Sequence, residues 1–386
     1  MRPLPPMILV LLLWCAGLGA AAQFGKISIL FETLRASYGI HGEVALGLVV
    51  SIVGMVGLIF GTTAGLLVAR IGPRRAIVAA LAAGAAMSAL QAALPAYPLM
   101  LVSRIIEGAS HLAIVVVGPT MIATLAPEAR RPLAMTLWSS FFGVTYTVLA
   151  LIGPFATPTG LFLGHAGYMA ALALVLALAL PPDPRQPHAP LGNLLAQHAV
   201  IYASPRLAAP AMGFCCYTFL YVAVLTLLPP ETPATHRALI AAGMPLVSIA
   251  VSLTLGVRLL QHMSAVRLVQ WGYAAAMPGF LILWAFWGSG AGMVAGGFIL
   301  SAALGIVQGA SFSAIPELNQ TPEARARAAG AVAQLGNLGT TTGTPVLAAL
   351  LAQAGPPGLA LAAVALCLLG IGLHQLQAAR RRLRAD

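Results

Sequence analysis

Apolar runs separated by short polar, proline or glycine breaks follow one another along the entire chain, with no sustained apolar–polar alternation of the kind a half-buried strand requires. A helix needs about 20 mostly apolar residues to cross a bilayer. Counted that way, the pattern predicts helices over 7–34, 42–69, 76–95, 98–125, 133–157 and 160–181. A second set follows over 207–229, 238–260, 266–288, 291–316, 326–353 and 357–378. The first run also has the outline of a secretory leader, with Arg2, an apolar stretch from Met7 and Ala20-Ala21-Ala22 as a cleavage site. Apolar character resumes from Ile27 to Phe31, so an uncleaved first helix is the expectation. Connections are short except for 182–206, which carries Pro182, Pro184, Pro187, Pro190 and Pro205. The expected architecture is an all-α membrane protein of twelve transmembrane helices. It divides into a six-helix bundle over 1–181, a cytoplasmic linker over 182–206 and a second bundle over 207–386.

Composition excludes the soluble alternative. Charged residues make up 8% of the 386 and hydrophobic ones 60%, against about 25% charged in an ordinary soluble domain. The net charge of +11 would suggest nucleic acid, but the placement of the basic residues says otherwise. With the N-terminus inside, cytoplasmic segments hold 16 of the 20 Lys and Arg, including Arg70, Arg74, Arg75, Arg130, Arg131, Arg325, Arg327 and the Arg380-Arg381-Arg382 run; outer loops keep Arg35 and Arg237. Both termini are therefore expected inside a plasma or inner membrane, with no nucleic acid as partner. Cys15, Cys215, Cys216 and Cys367 lie in apolar runs without metal-ligand spacing and read as inert thiols. Trp138, Trp271 and Trp284 read as packing or interfacial anchors.

The two halves echo each other. Glu107-Gly108-Ala109-Ser110 recurs as Gln308-Gly309-Ala310-Ser311, and Pro127-Glu128-Ala129-Arg130 as Pro322-Glu323-Ala324-Arg325. Parallel repeats of this kind place a substrate between the halves near the midplane. Between the second and third helices the chain reads Gly61-Thr62-Thr63-Ala64-Gly65-Leu66-Leu67-Val68-Ala69-Arg70-Ile71-Gly72-Pro73-Arg74-Arg75. This resembles the signature of the major facilitator superfamily, matching at Gly61, Arg70, Gly72, Arg74 and Arg75 but with Gly65 where the family carries an acid. Arg104 followed by Gly108 resembles a second family element, and Gly153-Pro154 part of the fifth-helix motif of drug antiporters. The resemblance implies the twelve-helix fold, alternating access, and a latch between the halves built on the first motif. It puts the charge relay of that latch in doubt.

Ionisable residues inside spans cost about 2.5–3.5 kcal/mol on insertion scales and usually mark a pathway. Lys26 falls in the first helix. Arg104, Glu107 and His111 share one face of the fourth at spacings of three and four, at a depth comparable to Lys26. The family resemblance puts helices one and four on the central cavity, so a Lys26–Arg104–Glu107 cluster facing that cavity is the sharpest site expectation. Two chemistries follow: an anion held by the excess positive charge, or a proton exchanged at Glu107. A structural ion pair stiffening the contact of helices one and four is the plain alternative. His111 is either a titrating group or a hydrogen-bonded packing residue. Gln308, equivalent to Glu107 in the repeat, is the expected mirror contact. Tyr217 and Tyr221, and Gln334 and Asn337, each share a face and either line the cavity or bond between helices. Glu32 is expected at the outer boundary beside Arg35, and Glu317 as a gate or loop ion pair with Arg325 and Arg327.

No nucleotide-binding loop, metal motif or hydrolase motif is present, so neither ATP-driven transport nor catalysis is expected, and no cofactor. The leading expectation is a monomeric secondary transporter, coupled to protons, for a small anionic or zwitterionic metabolite. The alternatives are a drug or metabolite efflux antiporter and, from another class, a transport-inactive receptor on the same layout, which the short basic tail disfavours. An ion channel lacks its ring of charges or filter loop.

Overall fold

The computed structural model describes residues 4–38, 43–183 and 194–383. Among these every regular element is helical, as lipid demands: without water, backbone N–H and C=O groups must be paired within the span. Helix α1 (Pro6–Ile29) starts with proline at its first position, where the missing N–H is harmless. It is followed by a short helix, Phe31–Tyr38, so the apolar run of 7–34 is interrupted at Leu30. Then come α2 (Glu43–Ile71), α3 (Pro73–Gln91) and α4 (Tyr97–Leu125). Helix α5 is built of Arg131–Ser139 and Phe141–Ile152, two segments meeting at Ser140, and α6 is Pro158–Ala179.

The expected linker contains a helix of its own, Leu194–Ala203. Beyond it lie α7 (Ala208–Glu231), α8 (Ala234–Leu260, with a π turn over Ser252–Gly256), α9 (Ala265–Ala285) and α10 (Gly290–Leu318). The final helical stretch from Pro322 to Arg382 breaks at Gly355, whose φ of 63° only glycine adopts freely; Pro356 and Pro357 follow. It therefore supplies two helices, α11 (322–354) and α12 (356–382). Helices α6, α9, α10 and α11 each begin behind a Ser or Thr that accepts a first-turn N–H: Thr157, Ser264, Ser289 and Thr321.

Among the described residues, nine helices are long and apolar enough to cross a membrane. The twelve-helix layout is reached by adding α3, whose 19 residues are less apolar and include Arg74 and Arg75, and the segmented α5, and by dividing the last stretch into α11 and α12. Two apolar cores hold the molecule together. One gathers α1, α3, α4, α5 and α6 around the fully buried Trp138, with α11 leaning in through Ala328 and Val332. The other gathers α7–α12 around Tyr273 and Phe280. Large apolar side chains point away from both, such as Leu151, Leu174 and Leu361, which suits hydrocarbon as solvent and would be untenable in water.

The turn between α2 and α3 is built on Gly72, at φ 97°. Asp183, just beyond α6, caps α3 there: its carboxylate accepts the Arg74 N–H at 2.8 Å and the Arg75 N–H at 3.0 Å. Arg74 in turn donates to the Ala177 carbonyl at 2.5 Å. Two of the motif arginines thus tie α3 to α6. Arg2, Arg185 and Arg384 lie outside the described residues, as does the side chain of Glu32.

Candidate functional site

The two bundles meet at the end of the molecule that carries Arg70, Arg74, Arg325 and Arg327, called here the basic end. One seam is the crossing of α2 and α11, where backbones touch. A Cβ on Gly65 would stand 2.4 Å from the Ala326 carbonyl oxygen, and one on Gly330 would stand 2.4 Å from that of Gly61. This close approach explains the missing acid of the motif: no side chain fits at Gly65. The other seam joins α5 to α8 and α10, with Gly143 against Ile249 and Gly309 against Thr136. Small residues let helices approach in this way without water to drive them together.

Each seam also has an amide clasp. Gln308 donates to the Ser139 carbonyl at 2.6 Å, and Gln334 to the Leu58 carbonyl at 2.7 Å. The linker helix reinforces the second: Tyr202 donates to Gln334 at 2.6 Å, and His198 Nε2 lies 2.6 Å from Thr62 Oγ1. Asn337 donates within its own helix to Ala333 and packs on Gly54 and Gly57. Gln308, Gln334 and Asn337 therefore hold the halves together; the sequence left this open for Gln334 and Asn337 beside a cavity-lining role, while Gln308 was expected as a mirror contact for substrate. Arg70, Arg74 and Arg75 sit at the mouth of the same end.

Lys26, Arg104 and Glu107 come together as their spacing suggested. Lys26 Nζ lies 2.5 Å from Glu107 Oε1, and Arg104 Nη1 pairs with Oε2. All three are fully buried, and their partners belong only to the first bundle. The cluster is therefore enclosed by α1, α2, α3, α4 and α6 within the first bundle, and not exposed toward the second as expected. The reason is the direction of the partners. Lys26 donates to Ser88 on α3 at 2.8 Å; Gln91 on α3 donates to Glu107 at 2.8 Å and to Ser103 at 2.9 Å. Arg104 donates from Nε to the Val49 carbonyl at 2.9 Å and from Nη1 to that of Gln23 at 2.7 Å. His165 on α6 completes the shell. Its Nε2 donates to the Gly19 carbonyl at 3.0 Å, so its Nδ1 accepts, 3.3 Å from Lys26 Nζ.

Among the described residues two cations face one carboxylate in this shell, and no other acid joins them. The balance is one positive charge in a site without solvent. Arg104 Nη2 has no hydrogen-bond partner among the described residues. Ser88, Gln91, Ser103, Gln23 and His165 were not singled out from the sequence. His165 alone left a signal, an ionisable ring inside an apolar helix.

Next to the cluster stands an aromatic wall. His111 donates from Nδ1 to the Ala20 carbonyl at 2.9 Å, which leaves Nε2 with a lone pair. Its ring stands 4.9 Å from Phe24 and 5.9 Å from Phe142, and Tyr146 continues the row 6.0 Å beyond Phe142. In the second bundle, Phe214, Tyr217 and Tyr221 stack along α7 at 5.3 Å intervals. Tyr217 and Tyr221 share a face as expected and are largely covered by the second core. Glu317 accepts the Ala265 N–H at 2.7 Å at the start of α9; among the described residues it makes no ion pair with Arg325 or Arg327. Gly153 and Pro154 lie in a terminal 3-10 turn, Gly153–Phe155, where they end α5.

A family model described as Major Facilitator Superfamily matches residues 9–344. The inner membrane transport protein YajR of Escherichia coli (strain K12) is 26% identical over 197 residues, 49% of this chain and 42% of that protein; the match thus spans less than half of that relative's length. Among solved structures, the human organic anion transporter MFSD10 (TETRAN) superposes with a TM-score of 0.80 at 17% identity, over 96% of this chain and 100% of that one. The transporter FucP in its outward conformation gives 0.77 at 16%, over 97% and 99%. The proton:xylose symporter XylE bound to 6-bromo-6-deoxy-D-glucose gives 0.77 at 16%, over 97% and 95%. At such identities the likeness is one of fold. Together with the match along most of its length, it places this multi-pass membrane protein: the chain belongs to the Major Facilitator Superfamily, a family of transporters.

Proposed function

We propose that the protein is a monomeric, proton-coupled secondary transporter of a small organic anion or zwitterion, residing in an inner or plasma membrane with both termini in the cytoplasm. The observation that carries the substrate class is the uncompensated positive charge of the Lys26–Glu107–Arg104 cluster, with an Arg104 nitrogen left unpaired. A buried charge without a partner is costly, and an anionic group that reaches the enclosed cluster when the Phe24–His111–Phe142 wall moves aside would lower that cost. Glu107 offers the exchangeable proton only once a bound anion has drawn one of the cations away, since a carboxylate held between two cations keeps its charge.

The closed basic end, in the positive-inside orientation, corresponds to an outward-facing form. The FucP structure in the outward conformation shares the overall arrangement, and the neighbour XylE is a proton symporter. Transport then consists of opening both seams at the basic end while the opposite end closes, the two bundles rocking about the site. An efflux antiporter is less well supported, because Gly153-Pro154 terminates α5 and cannot hinge it.

The test is flux of organic anions into proteoliposomes with and without a pH gradient. Lys26→Ala and Arg104→Ala proteins are expected to reach the membrane and to lose transport by roughly tenfold or more, as for loss of a charged contact. Wild-type anion flux in both single variants would sink this reading.

A further inference from the structure

Away from the seams, the basic end of the second bundle holds a cavity of 590 Å3 between the start of α7, the last turn of α10 and the end of α12. Three guanidinium groups line it: Arg206 from α7's approach, and Arg381 and Arg382 from α12. Glu317, Gln320 and Leu318 complete the wall. Among the described residues only one of the arginines is committed, Arg381 donating to the Pro205 carbonyl at 2.9 Å. Arg380 turns away and donates to the Ala203 carbonyl at 3.1 Å. Glu317 is anchored by the Ala265 N–H, and among the described residues it forms no ion pair with the three arginines. Among the described residues the cavity therefore keeps an excess of two positive charges, where α10 and α12 end.

We propose that this cavity binds a phosphate-type oxyanion. Planar guanidinium forks match phosphate oxygens in pairs, and here three forks, one from the turn ahead of α7 and two from α12, share one wall. The volume admits more than an inorganic ion, and Leu318 and Ala378 supply an apolar edge. Two sources carry this chemistry: the headgroup of an anionic phospholipid and a free phosphate in the aqueous phase. Glu317 is the opposing element, subtracting one charge and limiting affinity. The site lies outside the transport route described above and does not depend on it.

The experiment is thermal unfolding of the full chain in phosphatidylcholine nanodiscs, titrated in one arm with phosphatidylglycerol and in the other with inorganic phosphate. Stabilisation by either ligand is expected by mass action; stabilisation by phosphatidylglycerol alone identifies a lipid headgroup, and by phosphate alone a soluble oxyanion. Arg206→Gln/Arg382→Gln, which touches no hydrogen bond among the described residues, should weaken that response about tenfold. Arg258→Gln, at the same end but off the cavity, should leave it unchanged. Glu317→Gln should strengthen it, an opposite sign that general destabilisation does not produce. No stabilisation in either arm, or equal losses in the Arg258→Gln and cavity variants, would overturn the proposal.

Discussion

Glu107 is the residue on which the buried cluster turns, because it is the one acid shared by two fully buried cations. Glu107→Gln keeps the amide's size and some of its hydrogen bonds but strands Lys26 and Arg104, so it should lower stability by about 3–5 kcal/mol, the range for breaking a buried pair from one side. Lys26→Ala should cost less, since Arg104 still pairs with Glu107 and the net charge falls to zero. Detergent melting curves of the two variants check the order; a Lys26→Ala protein less stable than Glu107→Gln would show that packing, not charge, governs the cluster. The three charged members were legible because charges inside apolar runs are scarce enough for helical spacing to pick them out. Ser88, Gln91 and Ser103 were not, because neutral polar residues are common in such helices and spacing does not say which neighbour a face meets. The same gap placed the cluster on the cavity: the sequence gives its depth along α1 and α4, but not its rotation toward α3 and α6.

At the scale of elements, the crossing of α2 and α11 shows how a motif can be recognised for one reason and built for another. The glycine at position 65 departs from the family's acid, and its cause appears only when the Ala326 carbonyl is seen 2.4 Å from where a Cβ would stand. Gly65→Leu should therefore wedge the helices apart. Overpacking of this kind costs about 1–3 kcal/mol, and because that cost falls on the closed basic end alone it shifts the population toward the opposite state by roughly 5- to 150-fold. Spin-label distances across the α2–α11 seam are the readout, and an unchanged distribution would mean the backbones have room to relax in place. The helix boundaries themselves were largely readable, since prolines, glycines and Ser or Thr caps mark most of them; Gly355 ahead of two prolines is the clearest. The helix at Leu194–Ala203 was hidden inside a stretch whose prolines suggested only a linker. Its partners, Thr62 and Gln334, lie well over a hundred residues away in either direction.

For the whole molecule, the two seams pose one question: whether the basic end opens as a unit. Gln308 clasps α10 to α5, Gln334 clasps α11 to α2, and each donates to a backbone carbonyl of the other half. If the bundles rock as rigid bodies, neither clasp can release while the other seam stays shut, and both contribute to the same equilibrium. Loss of one such hydrogen bond is worth about 0.5–1.5 kcal/mol, a shift of about two- to tenfold. Gln308→Ala should then raise the accessibility of a cysteine placed at Ala333, in the α2–α11 seam, although position 308 lies in the other seam. The Gln308→Ala/Gln334→Ala protein should show the product of the two single shifts, because free energies of separate contacts in one equilibrium add. Labelling that responds only to the variant in its own seam would mean the seams open one at a time, and the rocking of two rigid halves would have to be replaced by motion of single helices.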